Sequence, residues 1–216
     1  MDNNVFLLAL IAINVIVSIK GFDDYSFFRK YQFHIGSIRS GEQYRMISSG
    51  FLHADIPHLA FNMIALYSFA GVVTQLLGSS SFVLIYFASL IFGSLLTMYF
   101  HKNDYSYTAV GASGAVTGII YSAILMVPNL PIRIFFIPID IPGYIFGILY
   151  LLYSIYGMKA KNDNIGHTAH IGGAIGGYIF TLVKYPEVIS NNMFIVILLA
   201  IPIILMFVMA KQGKFK

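Results

Sequence analysis

Residues 193–210, MFIVILLAIPIILMFVMA, contain no charged side chain, and this run is one of seven apolar segments. A run of that length covers the ~30 Å hydrocarbon layer of a bilayer as a helix, because lipid offers no partner for free backbone N–H and C=O groups. The other six lie at about 5–19, 57–77, 81–100, 112–127, 141–158 and 167–183. The strict alternation of a membrane β-barrel is nowhere sustained. The chain is therefore expected to be an all-α, polytopic membrane protein. Its 58% hydrophobic and 10% charged residues agree, against roughly 25% charged in soluble domains.

The N-terminal run has no basic stretch before it and no small-residue cleavage site after it, so it reads as a retained first helix. Residues 1–216 are expected to form one membrane domain, with a core of about 1–185 and an additional C-terminal helix at 193–210. Pro202 should kink that helix, as membrane helices tolerate. In PNLPIRIFFIPIDIP, prolines 128, 131, 138 and 142 delay the start of the fifth helix. Cysteine is absent, which removes disulfides and thiolate metal sites. The net charge of +4 comes from Lys and Arg at helix ends and calls for no nucleic-acid partner.

Connectivity places the long connection 20–56, the loops 101–110 and 159–166 and the C-terminal tail on one side. That side carries Lys20, Arg29, Lys30, Arg39, Arg45, Lys102, Lys159, Lys161, Lys211, Lys214 and Lys216, eleven of the 13 basic residues. By charge alone it would be cytoplasmic. A connection as long as 20–56 is usually functional.

Polar residues at membrane depth mark function by default. Ser113 opens the fourth segment, His170 lies one turn into the sixth, and His58 and Asn62 share a face at the start of the second. These segments all start from the same side, so the four groups share one depth. Gly114 and Gly118 on the fourth, and Gly173 and Gly177 on the sixth, have the small-xxx-small spacing that lets helices touch backbone to backbone. A hydrogen bond between Ser113 and His170 is the expected result.

What is missing narrows the chemistry. None of the nine carboxylates lies well inside a segment, which excludes an aspartyl dyad and argues against a proton-coupled pump. His167 and His170 stand three apart with no Glu between, so no His-Glu-x-x-His zinc site exists. Neither metal nor cofactor is implied. A Ser-His dyad remains, its imidazole oriented by packing instead of by an acid. Oxyanion donors would be the unpaired amide of Ser113 at a helix N-terminus and the side chains of His58 and Asn62.

These residues resemble the rhomboid serine proteases. GASG around Ser113 is similar to the family's Gly-x-Ser-Gly motif, AHIGGAIG followed by Gly177 to its Ala-His-x-x-Gly-x-x-x-Gly signature, and FLHADIPHLAFN to its pattern of two histidines and an asparagine. The resemblance implies Ser113 as nucleophile, His170 as general base, His58 and Asn62 completing the oxyanion hole, and Gly111 among the supporting glycines. It also implies six core helices around a water-filled cavity, a half-embedded first loop, and lateral entry past the fifth helix. Substrates would be transmembrane proteins with helix-destabilising residues, met within the lipid bilayer. Tyr44 and Arg45 stand where many members have Trp-Arg as first-loop scaffold. Thr117 stands where many have an aromatic that stacks on the imidazole, which leaves His170 either less firmly held or bonded to Thr117.

The resemblance further implies an active site opening outside the cell, here a bacterial one, as the isoleucine-rich, tryptophan-free composition suggests. The charges argue the reverse. Setting aside the five basic residues of the first loop as part of a folded element still leaves six against two. Two rivals follow from the same residues: an inactive relative that escorts membrane clients, which typically lacks the serine or histidine, and a small-molecule transporter, which would want buried acids or internal repeats.

Overall fold

A computed structural model of the chain describes residues 5–133 and 139–215. Asp2, Pro138 and Lys216, which entered the readings above, lie outside the described residues. Helix α1 is Val5–Asp23. The first connection folds into α2 (Tyr25–Tyr31), β1 (Phe33–His34), α3 (Ile35–Arg39) and α4 (Arg45–Ser48), then a 3-10 turn at Ser49–Phe51. Helices α5 (Ile56–Leu77) and α6 (Ser79–Phe100) follow, then β2 (Thr108–Ala109), α7 (Ser113–Met126), and the strands β3 (Pro131–Arg133) and β4 (Asp140–Pro142). The chain closes with α8 (Gly143–Ala160), α9 (His167–Lys184), the short α10 (Glu187–Asn191) and α11 (Met193–Lys211).

The protein is a multi-pass integral membrane protein. By length and composition α1, α5, α6 and α11 can each cross a bilayer, and they carry exposed apolar side chains suited to lipid, such as Leu95, Phe194 and Ile204. Helix α7 differs. Its 14 residues rise only about 21 Å at ~1.5 Å each, so one end must stop short of a ~30 Å hydrocarbon layer. It is also the most enclosed helix, buried without a break from Gly114 to Leu125.

The membrane gives no hydrophobic reward for pairing one apolar helix with another, so close packing and interhelical hydrogen bonds hold the bundle. Helix α9 packs most heavily against α6 and α7. Polar links join these helices: Thr97 to Thr168 across α6 and α9 at 3.0 Å, and Thr181 to Ser122 across α9 and α7 at 2.8 Å. Helix α11 packs on α8, with Leu199 and Met206 in the same buried cluster as the core, and Pro202 sits buried within it.

Among the described residues, two short antiparallel strand pairs interrupt the helical pattern. In one, β1 of the first connection pairs with β2 of the loop after α6, Phe33 opposite Ala109. Such two-residue ladders carry no periodicity that could be read in a sequence. Arg39 also donates to the Lys102 carbonyl at 2.7 Å, and Phe215 of the C-terminal tail meets Phe100 at 5.6 Å between ring centroids. The first connection, the 101–110 loop and the tail thus gather at one end of the bundle.

Arg45 organises the first connection. It is buried and donates to the Arg29 and Gln32 carbonyls at 2.7 and 3.0 Å and to Glu42 at 2.5 Å. The hydrogen bond and charge of Arg45 hold the Glu42 carboxyl below the usual range, against some desolvation. Tyr44 stays 44% exposed, with its hydroxyl 3.3 Å from the Lys30 carbonyl.

Candidate active site

Ser113 is the first residue of α7, and its approach is shaped by the residue types before it. Gly111 has φ +128°, a conformation that only glycine adopts readily. A β-carbon there would also lie 2.8 Å from His58 Nε2, while Ser113 Oγ is 3.7 Å from the same point. Gly111 therefore brings the His58 ring beside the serine. The Gly111 amide donates to the Ser49 carbonyl at 3.0 Å, and the Ala112 amide reaches His53 Nε2 at 3.4 Å. Ser113 and Gly114 follow in the first helical turn, where amides have no intrahelical acceptor.

From α9, His170 places Nε2 2.9 Å from Ser113 Oγ. The helices come this close because Gly173 leaves its space to the Gly114 carbonyl, and Gly177 does the same for that of Gly118. A β-carbon on Gly114 would stand 3.0 Å from the Ala169 carbonyl, and one on Gly118 would run into Ser89. The structure thus brings Ser113, His170, His58 and all five singled-out glycines into one neighbourhood.

His58 and Asn62 lie in the first two turns of α5. Asp55 caps that helix, its carboxylate accepting from the His58 amide at 2.7 Å. The Ala54 amide donates to His58 Nδ1 at 3.4 Å, which leaves the proton of a neutral ring on Nε2, the atom next to Gly111. Asn62 donates one Nδ2–H back to the His58 carbonyl at 3.0 Å and keeps a second. It lines a cavity of about 550 Å³ together with Ser113, Thr117, Phe146 and Tyr150. That cavity runs between α5 and α8 down to Arg133.

Three features were not anticipated from the sequence. The aromatic neighbour of the imidazole is Tyr150 of α8, stacked on His170 with centroids 5.5 Å apart and planes at 26°. Thr117 does not bond to His170: its hydroxyl donates to the Ser113 carbonyl at 2.7 Å and meets the Tyr150 hydroxyl at 3.3 Å. Second, an acid does approach the site, though not His170 itself. Asp163, in the loop before α9, bonds His167 Nε2 at 3.1 Å, and the His167 ring stands edge-on to His170 at 6.1 Å. Desolvation works to raise the Asp163 carboxyl, but hydrogen bonds from the Ile165 amide and His167 outweigh it and hold it below the usual range.

The third feature is His53, present in the quoted FLHADIPHLAFN but given no role there. Ser18 of α1 donates to the Phe51 carbonyl at 3.0 Å, so it accepts from His53 Nδ1–H at 2.9 Å, and Nε2 is free to accept from Ala112. His53 therefore ties α1 to the turn before Ser113. Burial, then the neighbouring His58, pushes its pKa down from 6.5 to about 3. The folded protein keeps His53 neutral where an unfolded chain would protonate it, so stability is whole above pH ~6.5 and falls as pH drops toward ~3. The expected total is of the order of 5 kcal/mol. Melting temperatures measured from pH 7.5 to 4 should show this decline, and His53→Gln should make it shallower; an unchanged slope in that variant would contradict the assignment.

Comparison with known proteins comes to the same fold. Residues 40–187 match the family described as the Rhomboid domain. The chain is 36% identical over 141 residues to the rhomboid protease GluP of Bacillus subtilis, covering 65% of this chain and 26% of that one. It is 30% identical to the mitochondrial RHOMBOID-like protein 12 of Arabidopsis thaliana, covering 80% of this chain and 56% of that one. To the putative rhomboid protease YdcA of Bacillus subtilis it is 32% identical, covering 67% and 68%. The chain thus spans between about a quarter and about half of the length of the first two relatives.

Proposed function

The chain belongs to the rhomboid family, and we propose that it is an intramembrane serine endopeptidase that cuts the membrane-spanning or adjacent segments of other proteins. The observation that carries this reading is the 2.9 Å contact between Ser113 Oγ and His170 Nε2, at a depth where an idle pair of polar side chains would be a pure cost. In the proposed reaction Ser113 Oγ attacks the carbonyl carbon of the scissile peptide and its proton passes to His170 Nε2. The carbonyl oxygen, now negative, accepts from the Ser113 amide, His58 Nε2–H and the second Asn62 Nδ2–H. Each such donor is worth roughly 3 kcal/mol where charge develops. Collapse breaks the C–N bond and His170 returns the proton to the leaving amine. Water, deprotonated by His170 in turn, then releases the acyl group from Ser113.

A peptide bond in a helix is shielded by its own hydrogen bonds, so substrates carry residues that let the helix unwind at the cut. The cavity between α5 and α8 supports this reading, since it joins Ser113 to the flank of the bundle. On the family resemblance, and against the distribution of basic residues, we place the site at the outward-facing side of a bacterial cell membrane. An escort function is disfavoured because serine and histidine are both present and in contact.

The test is incubation of wild-type protein and Ser113→Ala with a panel of single-pass membrane helices in liposomes. Cleavage by the wild type alone is expected. Equal cleavage by both would remove Ser113 from the chemistry, and no cleavage by either would favour the escort function.

A further inference from the structure

His170 lacks the hydrogen bond that usually orients such a ring. Its Nε2 is engaged with Ser113, while Nδ1 is buried without a hydrogen-bond partner among the described residues. His167 touches it only edge-on. What covers the face of the ring is Tyr150. The tyrosine is itself fixed at both ends: Phe146, one turn earlier on α8, stacks against it at 5.8 Å and 12°, and its hydroxyl meets Thr117. Since Thr117 spends its proton on the Ser113 carbonyl, Tyr150 is the donor in that second contact. A single side chain thus covers the imidazole and is pinned to the first turn of α7.

We propose that Tyr150 is the positioning residue of the dyad, its ring holding His170 in line with Ser113 and its hydroxyl registering that ring on α7 through Thr117. The proposal rests on Ser113 and His170 being the reactive pair. It follows that alignment of the pair depends on where α8 sits. Helix α8 packs much less extensively on α7 and α9 than α6 does, and it forms one wall of the cavity beside Ser113. Anything that wedges α8 outward takes the ring off His170.

The experiment uses a fluorophosphonate, which phosphonylates a serine hydroxyl and expels fluoride, on full-length protein in detergent. Its saturation kinetics separate the limiting labelling rate from the affinity for the probe. Tyr150→Leu removes the stack and leaves a smaller apolar side chain, and Tyr150→Phe keeps the stack and loses the hydroxyl. We expect the limiting rate of the Leu variant to fall by about 10 to 100 fold, as misalignment of reacting groups does, with affinity within about twofold. Tyr150→Phe should stay within about fivefold of wild type. Tyr150→Met, more adaptable in packing, is read beside the Leu variant should that one fail to fold.

A limiting rate in Leu and Met variants within twofold of wild type, a loss equal to that of Phe, or a loss confined to affinity would overturn the positioning role. Labelling of wild type but not of Ser113→Ala in the same series keeps the underlying reading intact in that event. Absence of labelling in wild type would overturn both.

Discussion

Ser113→Ala and His170→Ala should each lower cleavage by at least about 10⁴ fold, and the double variant should lose no more than either alone. Nucleophile and base act as one unit: with the hydroxyl gone the imidazole has nothing to activate, and with the imidazole gone the hydroxyl is a poor nucleophile. The remaining rate would come from binding and the oxyanion donors. Structural damage is not a rival explanation here. Among the described residues Ser113 makes no interhelical hydrogen bond other than that to His170, and the α7 and α9 interface is built on glycine backbones that neither variant alters. The check is kcat/KM on a cleaved panel substrate, with melting temperatures alongside. Losses that multiply in the double variant would mean that the two residues act separately.

Gly173→Leu should prevent folding, and Gly173→Ala should already lower stability by about 1 to 3 kcal/mol, the range for overpacked cores. The space a β-carbon would need is held by the Gly114 carbonyl oxygen, which is backbone and cannot rotate away. Helices α7 and α9 would have to separate, and the contact between Ser113 and His170 would go with them. Gly71 supplies the control. Beyond its own helix backbone, no atom of the described residues lies within 4 Å of its missing β-carbon, so Gly71→Ala should be neutral or gain up to ~1 kcal/mol of helix propensity. Thermal melting in detergent reads all three. A Gly173→Ala protein as stable as Gly71→Ala would contradict the close packing.

These expectations depend on features with very different traces in the sequence. Helix periodicity and glycine spacing put Ser113, His170, His58 and Asn62 at one depth, because a helix fixes the offset between neighbours and small-xxx-small fixes how near two helices come. Tyr150 had no such trace. It lies 33 positions from Thr117 in a segment full of aromatics, and only the angle at which α8 crosses α7 and α9 decides which ring meets the imidazole. His53 was visible as a residue but not as a link, since its partners, Ser18 and Ala112, come from two other parts of the chain. Asp163 looked like an ordinary loop acid, and its tie to His167 depends on how the loop turns back onto α9. The two-residue strands β1 and β2 are set by tertiary contact and have no local signature at all.

The most direct measurement is the position of covalent capture. Full-length protein treated with a fluorophosphonate, digested and analysed by mass spectrometry should carry one phosphonyl adduct, on Ser113, and His170→Ala should carry almost none. An adduct on any other hydroxyl, or one on Ser113 that forms as fast without the imidazole, would contradict a serine activated by His170.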